Sequence, residues 1–174
     1  RGIDEQAPND YINHVLIMAQ AGRPEAARQL LNRLAANPQW QDNQDVLATE
    51  RGLAIIEADQ LRQSGRLASA YDRLAESMQQ SPDDEELLLA MGRIYTDGGR
   101  QAQAEQIYTY VLTRHPESEQ ALQGAVQTAL SNNRPRQASQ LLSRYSPPQQ
   151  TSETLLLSAQ VARANGESLE ALAL

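Results

Sequence analysis

EELLLAMGRIYTDGGRQAQAEQIYTYVLTRHPES, residues 85–118, holds a complete structural unit. Leu88, Met91, Gly92 and Tyr95 recur at the spacing of one helix face, and Ala104, Tyr108 and Val111 mark a second. Between them Gly98-Gly99-Arg100 makes the turn, where a helix C-terminus favours a left-handed residue that glycine adopts without steric penalty. Pro116 stops the second helix, and Ser118 can cap the next. Gly92 and Ala104 are small residues where two antiparallel helices are expected to cross, and a larger side chain at either place would hold the backbones apart. Leu88, Tyr95 and Tyr108 then fill the gaps around the crossing. Pro82 closes the preceding unit 34 residues before Pro116, so start, turn, stop and period are all written in the chain.

A helical hairpin recurring every 34 residues resembles the tetratricopeptide repeat. The resemblance implies an all-α fold, a right-handed superhelical solenoid of antiparallel helix hairpins, with first helices lining a concave face and second helices on the convex face. In that register, residues 1–174 read as a single solenoid segment with units at about 8–41, 42–84, 85–118, 119–151 and 152–174. The first unit carries Tyr11, Val15, Met18, Gly22, Ala27 and Leu31 and ends near Pro38; the second carries Ala54, Ala58, Leu61, Gly65, Ala70 and Leu74. The fourth matches at Leu122, Ala129, Ala138 and Leu142, with Val126 in place of the close-approach glycine and an early stop at Pro147-Pro148. The last begins near Ser152 with Leu155, Ala159, Ala162, Gly166 and Ala171, and the sequence stops inside its second helix. That half hairpin, and Arg1 at the other end, lead us to expect a cut through a longer chain.

One stretch breaks the period. The second unit should start near Asp42, yet the match begins at Arg51, leaving about nine extra residues. Gln41 to Glu50 contains Val46 and Leu47 and no helix breaker, so Asp42 or Asn43 is expected to cap an unusually long first helix reaching Gln63. A surface loop is the alternative. Opening motions are expected to concentrate there and at Pro147-Pro148, where regular stacking is interrupted.

Composition narrows the function classes. With 40% hydrophobic and 4% aromatic residues the core should be continuous but thin, built from Leu and Ala. No run approaches the roughly 18 apolar residues of a membrane helix, and no signal peptide is visible. Zero cysteine excludes disulfides, cysteine nucleophiles and thiolate metal sites. A net charge of −7 argues against a nucleic-acid partner, because a phosphate backbone selects a basic groove. All 15 basic residues are arginine, whose fork suits carboxylates, although a genome biased toward arginine produces the same count.

Catalytic chemistry finds no constellation. His14 and His115 have no second histidine or acidic residue at a metal-binding helical spacing, and each reads as a packed or solvent-facing residue. The run Asp83-Asp84-Glu85-Glu86 follows Ser81-Pro82 and so falls at a helix N-terminus, where carboxylates complement the macrodipole. Arg134-Pro135-Arg136 reads as a solvated turn. The expectation is a protein that is not an enzyme, with no catalytic, cofactor-binding or metal-binding residues.

Any binding site should then lie on first-helix positions facing the concave surface: Asp59, Arg62 and Gln63; Arg93, Thr96 and Asp97; Gln123 and Gln127; Gln160 and Arg163. Such a lining could hydrogen-bond a peptide backbone or sugar hydroxyls, and is also what an uncommitted solenoid would show. Within the tetratricopeptide family, the clamp for chaperone tails needs Lys, Arg or Asn at first-helix positions that here hold Ile12, Ile55, Leu89, Leu16 and Asp59, so chaperone C-termini are not expected to bind.

A closer resemblance runs from Pro38 to about Gln150. Pro38-Gln39-Trp40-Gln41-Asp42-Asn43, Ala58-Asp59-Gln60-Leu61-Arg62-Gln63-Ser64-Gly65 and Tyr108-Thr109-Tyr110-Val111-Leu112-Thr113-Arg114-His115-Pro116 are similar to the last periplasmic repeats of the cellulose synthase operon protein C family, the bacterial outer-membrane cellulose exporters. This implies a periplasmic scaffold between an inner-membrane synthase and an outer-membrane β-barrel into which the full chain continues. Implied partners are other subunits of the cellulose synthase complex, peptidoglycan and the passing cellulose chain. A glucan path would be expected to offer aromatic platforms, whereas Tyr11, Tyr95 and Tyr108 fall on core positions and Tyr71, Tyr110 and Tyr145 on second helices, so protein contact or spacing is expected ahead of sugar binding. The alternative is a peptide-binding tetratricopeptide adaptor in another bacterial envelope or exopolysaccharide assembly complex.

Overall fold

A computed structural model describes residues 8–145 and 151–166. Among them lie nine helices and no strand, in the antiparallel hairpins expected from the repeat. The chain divides into two compact units, Arg1–Asp83 and Asp84–Leu174.

The first unit contains α1 (Pro8–Gln20), α2 (Pro24–Ala35), α3 (Gln44–Gln63) and α4 (Leu67–Gln80). The residues that break the period form the head of α3, a helix of 20 residues. Asn43 is its cap: the side-chain oxygen accepts from the amides of Asp45 at 2.9 Å and Val46 at 3.2 Å. The added turns hold core residues, because Val46 is 1% exposed and joins Val15, Leu31, Leu34, Trp40 and Leu53 in one cluster. Burying a valine side chain stabilises by about 1.5 kcal/mol or more, which a surface loop would forgo. Trp40 packs at a tilt on Tyr11, ring centroids 6.4 Å apart. Glu57 on α3 ties α2 to α4, accepting from Arg28 Nη2 at 2.7 Å and from Arg73 Nε. Burial pushes the Glu57 carboxyl up, but the hydrogen bonds and charges of the two guanidiniums more than offset it and hold the group below the ordinary carboxylate range.

The second unit contains α5 (Glu85–Asp97), α6 (Gln101–Arg114), α7 (Glu119–Ser131), α8 (Pro135–Tyr145) and α9 (Ser152–Ala164). Its first helices start on side-chain caps: Asp84 accepts from Leu87 N at 3.0 Å, Ser118 from Ala121 N at 3.4 Å and Thr151 from Thr154 N at 3.3 Å. The acidic run at 83–86 is therefore a cap plus a first turn, with Glu85 and Glu86 at the positive end of the helix dipole. Helix α7 packs against α5, α6, α8 and α9.

The hairpin turns show the period most directly. Gly22, Gly65, Gly99 and Asn133 have left-handed φ of 78°, 78°, 69° and 56°; the last three are 34 residues apart, and the first interval is longer by the inserted nine. Each turn closes with the same pair of bonds, as in Gly99 N to Thr96 O at 3.1 Å and Arg100 N to Tyr95 O at 2.8 Å. Of the Gly98-Gly99 pair expected to supply the left-handed residue, Gly99 is the one that does, and Gly98 at φ −80° ends the helix in the ordinary region.

Two packing expectations change. The group that forbids a side chain at Gly92 is the ring of Tyr108, and the close-approach residue of the next unit is Gly124, two positions before the core residue Val126. On α9 the buried stripe is Thr154, Leu157 and Val161, one helix face at i, i+3 and i+7, which leaves Leu155 off the core and 40% exposed. Ala171 and the Pro147-Pro148 break lie outside the described residues.

Candidate functional site

The first helices of the second unit enclose a cleft of about 550 Å³. Arg93 and Leu89 come from α5, Glu119, Gln120, Leu122, Gln123, Gly124 and Gln127 from α7, and Glu153, Thr154 and Leu157 from α9. The α7 contributions follow helical spacing: Gln120, Gln123 and Gln127 lie on one face at i, i+3 and i+7. Leu89, Leu122 and Leu157 line it and are 5%, 1% and 5% exposed, and beside them stand the polar side chains of Arg93, Glu119, Gln120, Gln123, Gln127 and Glu153. One lining residue comes from the other layer. Tyr108, on α6, reaches the cleft between α5 and α7.

The placement of Tyr108 depends on two glycines. A Cβ on Gly92 would lie 2.7 Å from its Cε1, 2.8 Å from Cζ and 3.1 Å from the hydroxyl oxygen. A Cβ on Gly124 would lie 2.6 Å from Cε1 and Cζ and 2.7 Å from Cε2. The hydroxyl end of the ring thus occupies the gap that the two glycines leave, while the residue as a whole is 5% exposed.

Of the ten first-helix positions expected to face the groove, Arg93, Gln123 and Gln127 come together in this cleft. Thr96 is half-buried on α5 and donates its hydroxyl to Gly92 O at 2.9 Å; Asp97 is exposed at the end of that helix. Gln160 and Arg163 are exposed on α9 beyond the cleft-lining first turns of that helix. Asp59, Arg62 and Gln63 belong to α3 in the first unit, where Arg62 Nε pairs with Asp59 at 3.1 Å and Gln63 is exposed. Sequence reasoning missed Glu119, Gln120 and Glu153, whose signal was their helical spacing to Gln123, Gln127 and Leu157. It also missed Tyr108, for which the repeat register indicates only a core position.

There are two further clefts, the first lined from α2, α3 and α4 and the second from α6, α8 and the turn before α8. One, of about 720 Å³, holds the Arg28, Glu57 and Arg73 network; the other, of about 760 Å³, holds Glu105, which accepts from Gln137 and from Arg134 at 3.3 Å. Their central charges are engaged with each other. His14 is exposed, and His115 Nδ1 lies 3.7 Å from Glu85. Among the described residues no three His, Cys, Asp or Glu side chains gather closely enough to hold a metal ion, and no helix is long and apolar enough to cross a membrane.

The tetratricopeptide repeat family model matches residues 61–109 and 97–161. Among characterised relatives, cellulose synthase operon protein C of Komagataeibacter sucrofermentans is 30% identical over 135 residues, covering 73% of this chain and 10% of the relative. The protein of the same name from Komagataeibacter xylinus is 34% identical over 98 residues, 56% of this chain and 8% of the relative. That from Pseudomonas fluorescens is 25% identical over 137 residues, 74% of this chain and 10% of the relative. The chain spans about a tenth of the length of the relatives it matches. Two solved structures share the fold: a tetratricopeptide repeat protein from Parabacteroides merdae (TM-score 0.71, 19% identity, 94% of this chain and 62% of that one) and Pseudomonas aeruginosa PilF (TM-score 0.70, 17% identity, 98% and 74%).

Proposed function

The chain belongs to the tetratricopeptide repeat family, and from that membership we propose that it is a non-catalytic scaffold segment of a bacterial cellulose-export protein. It works in the periplasm, between an inner-membrane synthase and an outer-membrane β-barrel pore. The similarity to cellulose synthase operon protein C over 135 residues carries this reading. The site chemistry suits it: the cleft between α5, α7 and α9 offers side chains that can hydrogen-bond a partner. Its contacts are with other synthase components, peptidoglycan or the glucan, made through Arg93, Gln123 and Gln127, with the remaining first-helix positions as a less concentrated surface.

In-frame deletion of this segment from the full-length gene should abolish or sharply reduce secreted cellulose while the pore is still assembled. Undiminished secretion would overturn the reading. Protease added to intact cells should spare the segment and should cleave it once the outer membrane is permeabilised; cleavage that requires inner-membrane lysis would exclude the periplasmic placement.

A further inference from the structure

We propose that Asn165 is a modification site: its side-chain amide is lost to attack by the Gly166 nitrogen when the seam between α8 and α9 opens, is protected while that seam is closed, and leaves α9 loosened once it has reacted. Asn165 is the only asparagine in the chain followed by glycine, the neighbour whose missing side chain least hinders the approach of its own backbone nitrogen. The reaction joins the Gly166 nitrogen to the Asn165 side-chain carbonyl carbon and expels Nδ2 as ammonia, which carries away the Gly166 amide proton. Water then opens the five-membered imide at one of its two carbonyls, to aspartate or to isoaspartate, in which the backbone runs through the former side chain. In sum, one water is consumed, one ammonia is released and one carboxylate is gained.

The closed seam opposes each step. The Gly166 nitrogen donates its proton to Arg163 O at 3.1 Å, and ψ at Asn165 is −1°, in the right-handed helical region that ring closure requires it to leave. The leaving nitrogen is held as well. Nδ2 donates to Val161 O at 3.0 Å on its own helix, to Ser139 Oγ at 2.9 Å and to Pro135 O at 3.3 Å, so it ties the end of α9 to the start of α8. The same bonds make the product disruptive. A carboxylate at this half-buried position would set its oxygens against the Pro135 and Val161 carbonyls, acceptors facing acceptors with no proton between them. Since α9 supplies Glu153, Thr154 and Leu157 to the cleft, a helix that has lost this anchor weakens one of the cleft's walls.

The test incubates the 174-residue chain folded and, in parallel, unfolded in guanidinium chloride, at one pH and temperature, with peptide mapping by mass spectrometry to follow loss of each asparagine amide. In the unfolded chain Asn165 should react ahead of every other asparagine, and in the folded chain it should react about tenfold or more slowly, because it waits on local opening. Equal rates in the two states, or an unfolded chain that reacts first elsewhere, would overturn the assignment. Asn165→Asp reads the consequence: amide hydrogen exchange should quicken at Leu157 and Val161 on α9 and stay unchanged on α5 and α6. Exchange on α9 that matches the parent chain would overturn the loosening. If Asn165→Asp does not fold, the reacted fraction of the parent chain, separated by anion exchange through its added negative charge, is compared with the unreacted fraction on the same two residues, and identical exchange there is equally fatal.

Discussion

The ring of Tyr108 lies so close to Gly124 that an added Cβ would stand 2.6 Å from its Cε1 and Cζ. In an exposed helix, Gly→Ala gains about 1 kcal/mol from backbone propensity. Here the methyl group must displace a ring that is 5% exposed and already confined by Gly92, and overpacking of this kind costs about 1–3 kcal/mol. Gly124→Ala should therefore lower the urea midpoint without changing the slope. In a Tyr108→Ala background the same methyl enters vacated space, so the penalty should vanish or reverse, giving a coupling energy in the double-mutant cycle.

Gly99 presents the opposite case, conformation without crowding. Nothing lies within 4 Å of a Cβ built there, yet φ is 69°, a region that costs an L-residue roughly 1–2 kcal/mol. Gly99→Ala should destabilise by about 1 kcal/mol through the backbone alone. Asn133 holds the same turn at φ 56° with a residue that tolerates it. Asn133→Gly should accordingly be neutral or slightly stabilising, and Asn133→Ala should lose about as much as Gly99→Ala in thermal melts.

The helices and their pairing were legible in the 34-residue register because the repeat writes its core face, turn and stop in the same places each time. What lay off that register was harder to read. Gly124 is two residues from where the repeat puts its small residue, and its meaning depends on how far the Tyr108 ring reaches from another helix. Gly98 and Gly99 are chemically identical, so only the closing hydrogen bonds decide which is left-handed. The stretch from Gln41 to Glu50 has no breaker, which favours a long helix capped at Asp42 or Asn43 over a loop, and the bonds to Asn43 decide between the two caps. For the cleft, Arg93, Gln123 and Gln127 were readable from helix phase, whereas Tyr108 was not, since one side chain serves both core and site.

Asn43 offers a direct measurement of what keeps the inserted turns helical. Its oxygen satisfies two amides at the start of α3, and replacing such a cap with alanine costs about 1 kcal/mol. Asn43→Ala should speed hydrogen exchange at Asp45 and Val46 while leaving the far end of α3 protected. Uniform acceleration along α3 would mean that the head of the helix is not separately held.

The Arg28, Glu57 and Arg73 network predicts a pH dependence with a definite sign. The Glu57 carboxyl titrates lower in the folded chain than the unfolded value of about 4.3, so between those two values the unfolded state binds more protons and stability rises with pH. The contribution is fully present above the unfolded value and is lost as pH falls through the folded one. Glu57 is 14% exposed, and charged hydrogen bonds are worth about 1.5–3 kcal/mol, so Glu57→Gln should cost about 2 kcal/mol near neutral pH. The gap to the parent chain should stay constant down to about pH 5 and close progressively below about pH 4.3. Glu76, whose side chain is 75% exposed on the rim of the same network, serves as the control: Glu76→Gln should leave the melting temperature unchanged. A Glu57→Gln gap that stayed the same through acidification would assign the stabilisation to packing of the side chain and not to its charge.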